Sequence, residues 1–128
     1  MFALVNDVER YPEFLPWCKA GTVLERTPEL VRASLELQRG GFHKSFTTRN
    51  ALVPGRSMTM TLEEGPFRHL EGRWQFTDMG PEGSKVSLDM EFQFKNGLLD
   101  VLAGPVFHDI CNSLVDAFIK RAADLHAR

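Results

Sequence analysis

Cysteine is scarce, and the residue patterns that usually announce bond-making chemistry are missing. Cys18 and Cys111 lie far apart and match no metal-ligand spacing. Both read as small apolar fillers with reduced thiols. The histidines, His43, His69, His108 and His126, contain no His-x3-His pair and suit surface or rim positions, so no metal site is expected. No serine sits in a nucleophile elbow, Cys18 has no evident base, and the glycines are turn glycines that resemble no phosphate-cradling loop. Glu63-Glu64 falls beside a turn, where paired carboxylates are solvated. With no signal peptide and no transmembrane run, the chain is expected to be cytoplasmic. These absences point away from an enzyme.

Strong charge is also missing. The net charge is −2, so the whole chain carries no basic signal for nucleic acid. Charge is uneven, however: Arg39, Lys44, Arg49, Arg56, Arg68 and Arg73 face only three glutamates between residues 39 and 73. A basic sheet surface is one reading of this stretch; scattered solvated charge is the other.

What the chain has in quantity is apolar bulk: ten Phe, two Trp and five Met in 128 residues, the length of one domain with one core. Near the end, Val106, Phe107, Ile110, Cys111, Leu114, Ala117, Phe118, Ala122 and Leu125 recur at three- and four-residue steps, which gathers them on one face of a helix. Gly104-Pro105 predicts a short helix over about 98–103, a break, and a long helix from Pro105.

Before this helix the period is two. Val31, Ala33, Leu35 and Leu37 alternate with polar residues, as do Met58, Met60 and Leu62; Leu70, Gly72, Trp74 and Phe76; and Val86, Leu88, Met90, Phe92 and Phe94. Strands are expected at 19–26, 31–38, 42–53, 57–64, 67–78 and 84–94. They are separated by turns at Thr27-Pro28, Gly40-Gly41, Pro54-Gly55, Gly65-Pro66 and Gly80-Pro81-Glu82-Gly83. In the third strand Lys44 shares a face with Phe42 and Phe46, which predicts either a bulge or a lysine at the rim of the buried face. Upstream, Leu4, Val5 and Val8 mark a helix over 1–10 that Tyr11-Pro12 ends. A stiff apolar turn, Pro12-Glu13-Phe14-Leu15-Pro16-Trp17-Cys18, follows. Short connections between one-sided strands favour an antiparallel meander, so the fold class is α+β, with a curved sheet wrapped around the C-terminal helix.

The run Tyr11-Pro12-Glu13-Phe14-Leu15-Pro16-Trp17-Cys18, with Val5-Asn6-Asp7-Val8, Phe46-Thr47-Thr48-Arg49-Asn50, Gly65-Pro66-Phe67 and Ala117-Phe118 with Arg121, resembles one family over essentially the whole chain. It is the family of bacterial ribosome association toxins and mitochondrial coenzyme Q-binding proteins, within the START-like, polyketide cyclase superfamily. The resemblance implies a helix-grip fold whose seven-stranded sheet grips the last helix. It also implies non-enzymatic binding of ubiquinone or a similar isoprenoid lipid as ligand, with no obligatory cofactor. Residues 1–128 would then form a single lipid-binding domain lacking the family's N-terminal strand, with 84–94 at the side of the sheet where that strand belongs.

On this reading Phe107, Leu114 and Phe118 meet Met58, Met60, Trp74, Phe76, Met90 and Phe92 around a ligand. Phe14, Leu15 and Trp17 form a gate that could touch the inner membrane transiently. The alternative is a translation regulator that binds the large ribosomal subunit and blocks subunit association, its RNA contacts made by Arg39, Lys44, Arg49, Arg56, Arg68 and Arg73.

Overall fold

In the computed structural model, which describes residues 2–39, 42–82 and 84–126, a short helix α1 (Phe2–Asn6) leads into a 3-10 segment, Val8–Glu13. Six strands follow: β1 (Cys18–Arg26), β2 (Leu30–Arg39), β3 (Phe42–Val53), β4 (Ser57–Glu64), β5 (Phe67–Asp78) and β6 (Ser84–Phe94). One long helix, α2 (Gly97–His126), closes the chain. The expected strands match these to within one residue at each end. Of the expected turns, Gly40-Gly41 and the last residue of Gly80-Pro81-Glu82-Gly83 lie outside the described residues, as does the start of the helix expected from Met1.

The six strands form one antiparallel sheet in sequence order, β1 to β6. Local turn chemistry enforces this meander. Thr27 Oγ1 accepts hydrogen bonds from the Glu29 and Leu30 amides, and the Arg56 amide closes the next turn onto the Val53 carbonyl at 2.9 Å. Gly55 in that turn has φ +74°, a conformation costly for residues with a Cβ. The concave face carries Val31, Ala33, Leu37, Phe46, Leu52, Met58, Phe67, Leu70, Trp74 and Phe94. All are buried with Ala103, Phe107, Ile110, Leu114 and Phe118 of α2. Aromatic contacts lock the two layers: Phe92 meets Phe107 with ring centroids 4.7 Å apart, and Trp74 meets Phe118 at 5.3 Å.

Several expectations need correction. No break occurs at Gly104-Pro105: α2 runs unbroken with Pro105 inside it. The carbonyl that Pro105 leaves without an intrahelical partner is that of Val101, a residue 73% exposed, so water can satisfy it. The helix starts at Gly97, within one residue of the expected 98, because Asn96 Oδ1 caps it, accepting from the Leu98 amide at 2.8 Å. The N-terminal helix ends at Asn6, not at Tyr11-Pro12. Those two residues lie inside the 3-10 segment, where the Tyr11 carbonyl accepts from Phe14 and Leu15. β3 pairs with β2 without a bulge, and Lys44 stands exposed at the rim of the buried face. The irregularity in β3 is instead a register shift against β4 at Thr47/Thr48.

The transmembrane reading also changes. The stretch Gly97–Leu125 is long and apolar enough to cross a membrane, its most apolar 18-residue window having mean hydropathy 1.3 with 22% of that window buried. The gripped helix of a domain such as this meets the same criterion, and its Ala103-to-Phe118 row is buried against the sheet.

The sheet has six strands among the described residues, one fewer than the resemblance implies. β6 is an edge strand, and its inward Val86, Leu88, Met90 and Phe92 are half-buried. Beside it the first turns of α2 expose Leu98, Val101 and Leu102.

Candidate functional site

Between the concave face and α2 lies an apolar cavity of about 60 Å³. Its walls come from the 3-10 segment (Val8, Tyr11), the turn after it (Trp17), the inward rows of β2 to β6, and the face of α2 bearing Phe107, Ile110, Cys111, Leu114 and Phe118. The period-two rows and the helical stripe thus meet as the sequence patterns require.

Of the expected ligand residues, Trp17, Met60, Trp74, Met90, Phe107, Leu114 and Phe118 line this cavity. Phe14, Leu15, Met58, Phe76 and Phe92 do not. Leu15 and Met58 are each 1% exposed and belong to the packed core. Phe76 stacks on Trp74 and meets Phe2 edge-on, while Phe92 joins a cluster with Phe67, Phe94 and Phe107.

The gate is built differently from the expectation. Trp17 is only 8% exposed, and its carbonyl accepts from the Gln38 amide at 2.8 Å, so the turn does not offer its indole to a membrane. Phe14 packs on Tyr11 and Phe118, and the Arg121 guanidinium lies 5.0 Å from its ring centre. Arg121 also donates to Glu13 Oε1 at 2.8 Å, tying the turn to the last helix.

The cavity's titratable groups are Tyr11 and Cys111. Burial holds the Tyr11 hydroxyl protonated well above the ordinary phenol range, with neighbouring Cys18 and Asp7 adding to the effect; that hydroxyl donates to the buried Val5 carbonyl. Burial likewise pushes the Cys111 thiol up to about 12 and that of nearby Cys18 to about 11. All three are neutral at physiological pH and poorly suited as nucleophiles or general bases. Among the described residues no group of His, Cys, Asp and Glu could hold a metal ion. His43, His69 and His108 are exposed; the His126 side chain lies outside the described residues.

Two polar residues in the cavity were absent from the sequence expectation: Thr48, 7% exposed, and Asn50, 3% exposed. The signal was available, because both fall on the even-numbered inward row of β3 with Phe46 and Leu52.

The six basic residues do not gather into one patch. Arg49 lies midway along β3 beside Arg32, and Arg73 lies on β5 opposite Asp89. Arg39 and Lys44 sit toward one end of the β2–β3 pair, whereas Arg56 lies in the β3–β4 turn at the other end of β3, roughly 36 Å away along the strand. Engagement separates the arginines among them from the other described arginines, though not from the lysines, none of which is paired among the described residues. Arg10, Arg26, Arg32 and Arg121 each hold a partner: Asp7, the Asn6 carbonyl, Glu63 and Glu13 respectively. Arg39, Lys44, Arg49, Arg56, Arg68 and Arg73 make no ion pair or side-chain hydrogen bond among the described residues, and all six are exposed.

A curved sheet gripping one helix over an apolar cavity defines a helix-grip, START-like domain. The chain belongs to the polyketide cyclase/dehydrase and lipid transport family, which it matches over residues 1–119. It is 49% identical over 126 residues to the ribosome association toxin RatA of Pseudomonas aeruginosa, covering 98% of this chain and 88% of that protein. It is 28% identical over 132 residues to a mitochondrial coenzyme Q-binding protein of Xenopus laevis, covering 100% of this chain and 54% of that one. Among solved structures, the ZhuI aromatase/cyclase of a Streptomyces species superposes with a TM-score of 0.81 at 19% identity, covering 95% of this chain and 84% of that one. That last likeness shows the fold alone.

Proposed function

We propose that this chain associates with the ribosome, contacting the large subunit through its outer basic side chains and opposing subunit joining. This reverses the order of the two readings drawn from the sequence. The observation that carries it concerns the arginines: those of residues 39–73 make no close ion pair or side-chain hydrogen bond among the described residues, while Arg10, Arg26, Arg32 and Arg121 are engaged. RNA phosphates would supply the missing counter-charge. The similarity to a protein named ribosome association toxin supports the same partner, which is cytoplasmic. The test is cosedimentation with ribosomal subunits across a salt series. Replacing Arg49, Arg56 and Arg68 with Glu should weaken binding and lower the salt slope by about 2. A wild-type protein that never sediments with subunits at low salt would end this reading.

A second reading is favoured by the cavity: non-catalytic binding of an apolar molecule such as ubiquinone. The walls are almost wholly apolar and include two methionines, which repack readily. At about 60 Å³ the closed cavity is far below the ~300–1,000 Å³ of ordinary ligand pockets, so a ligand must displace side chains to enter. Organic extraction of purified protein followed by mass spectrometry should recover a quinone or a related lipid; a clean extract from folded protein would remove this reading.

A further inference from the structure

Asn50, Met60, Gly72 and Met90 stand side by side on one cross-strand row, running from β3 to β6 on the concave face. The row begins with an amide and continues over a thioether, a gap and a second thioether. The gap is real: a Cβ on Gly72 would come within 2.6 Å of Met60 Cε and 2.9 Å of Met90 Sδ. Both methionine ends thus lean over a position without a side chain, and both are flexible enough to swing clear.

The amide end is polar in a place where polarity needs a partner. Thr48 Oγ1 donates to Asn50 Oδ1 at 2.8 Å, which engages the amide oxygen. The Asn50 nitrogen donates to nothing among the described residues, yet the residue is 3% exposed and lines the cavity. The side chains of its cross-strand neighbours, Val31 and Met60, offer no oxygen. The nitrogen is not among the buried side-chain atoms sealed without a partner, so it keeps accessible surface, and in a residue that lines the cavity that surface is open to an acceptor from outside the chain.

We propose that Thr48 and Asn50 form a recognition element for a planar, conjugated carbonyl compound. The Asn50 amide donates to the ligand's carbonyl oxygen, and the ring lies over Gly72 once Met60 and Met90 move aside. Thr48 acts as a positioning residue, because its hydroxyl fixes which edge of the amide faces the cavity. This inference rests on the second reading above, that the cavity holds an apolar ligand. Quinones with isoprenoid tails and tailless aromatic ketones share the required chemistry.

The test measures displacement of a bound apolar dye by four compounds: a short-tailed ubiquinone, the tricyclic ketone anthrone, and two hydrocarbons without carbonyls, squalene and anthracene. Wild-type protein should prefer each carbonyl compound to its hydrocarbon counterpart by about tenfold or more. The Thr48→Val/Asn50→Leu double variant replaces both partners with apolar groups, so no orphan is left and the fold should survive. It should bind hydrocarbons as before and lose the preference. Thr48→Val alone should retain part of it. Tighter binding of ubiquinone than of anthrone would identify the tailed quinone as the source, and the reverse order a tailless ketone. Equal wild-type affinity for anthrone and anthracene, as when water alone meets the amide, would overturn the recognition element while leaving apolar binding intact. So would a preference that survives in the double variant. If no compound displaces the dye from wild-type protein, this inference falls together with the apolar-ligand reading.

Discussion

Tyr11 shows how one buried hydroxyl ties the N-terminal segment to the core. It donates to the carbonyl of Val5, which is fully buried, and its ring meets Phe118 at 5.2 Å. Tyr11→Phe removes the donor and leaves that carbonyl unpaired, so it should cost about 1–3 kcal/mol in denaturant unfolding. The same residue and the two thiols set an alkaline limit. Tyr11, Cys18 and Cys111 all have proton affinities raised by burial, so in the folded state they keep protons that the unfolded chain gives up first. Their contribution to stability is therefore complete below the ordinary thiol range. It is lost as pH rises through about 11 and 12, the values of Cys18 and Cys111. Stability should accordingly decline from about pH 9 upward. A Cys18→Ala/Cys111→Ala protein should show a shallower decline, and an identical pH profile would contradict the assignment. Residues of this kind are hard to read from sequence. That Tyr11 is aromatic and precedes proline is plain, but its partner six positions back depends on a 3-10 turn that no periodicity announces.

Among the elements, the strands were the most legible and the N-terminal segment the least. Rows such as Leu70, Gly72, Trp74 and Phe76 read directly as a buried face because alternation is a backbone property of any strand. The stretch before Tyr11 has apolar residues at helical spacing, yet the chain leaves α geometry at Asp7 to lay its 3-10 segment across β1. Gly21 makes that crossing possible. A Cβ there would collide with the Val8 carbonyl oxygen, which is backbone and cannot swing away. Gly21→Ala should therefore lower stability by about 1–3 kcal/mol and loosen the segment that carries Tyr11, read as faster amide exchange over residues 8–15. Unchanged exchange there would mean that the close approach is unimportant. The cavity was half legible for a related reason. Period and stripe say which side chains point inward, but not which of them touch free space. Met58 and Met60 alternate identically in β4, and only Met60 lines the cavity.

For the whole molecule, the sheet is built entirely from neighbours in sequence, each strand pairing with the next. Such a topology can assemble hairpin by hairpin, each step closing a short loop. The Arg121–Glu13 pair is of another kind, for it joins positions 108 residues apart. Arg121 also lies over Phe14, which packs on Phe118, so the pair ties the apolar turn after the 3-10 segment to the last helix and should form after the strands between them. A contact of that separation is expected at the end of folding and the beginning of unfolding. Arg121→Met should leave the refolding rate unchanged and speed unfolding about two- to fivefold, as expected for a partly exposed pair. Stopped-flow measurements of both limbs would decide it; slowed refolding would place the pair in the nucleus. The fastening should also set the order of opening. The 3-10 segment and the end of α2 should part first, so that, on the apolar-ligand reading proposed above, the route a ligand would take to the cavity is the one along which the protein should begin to unfold.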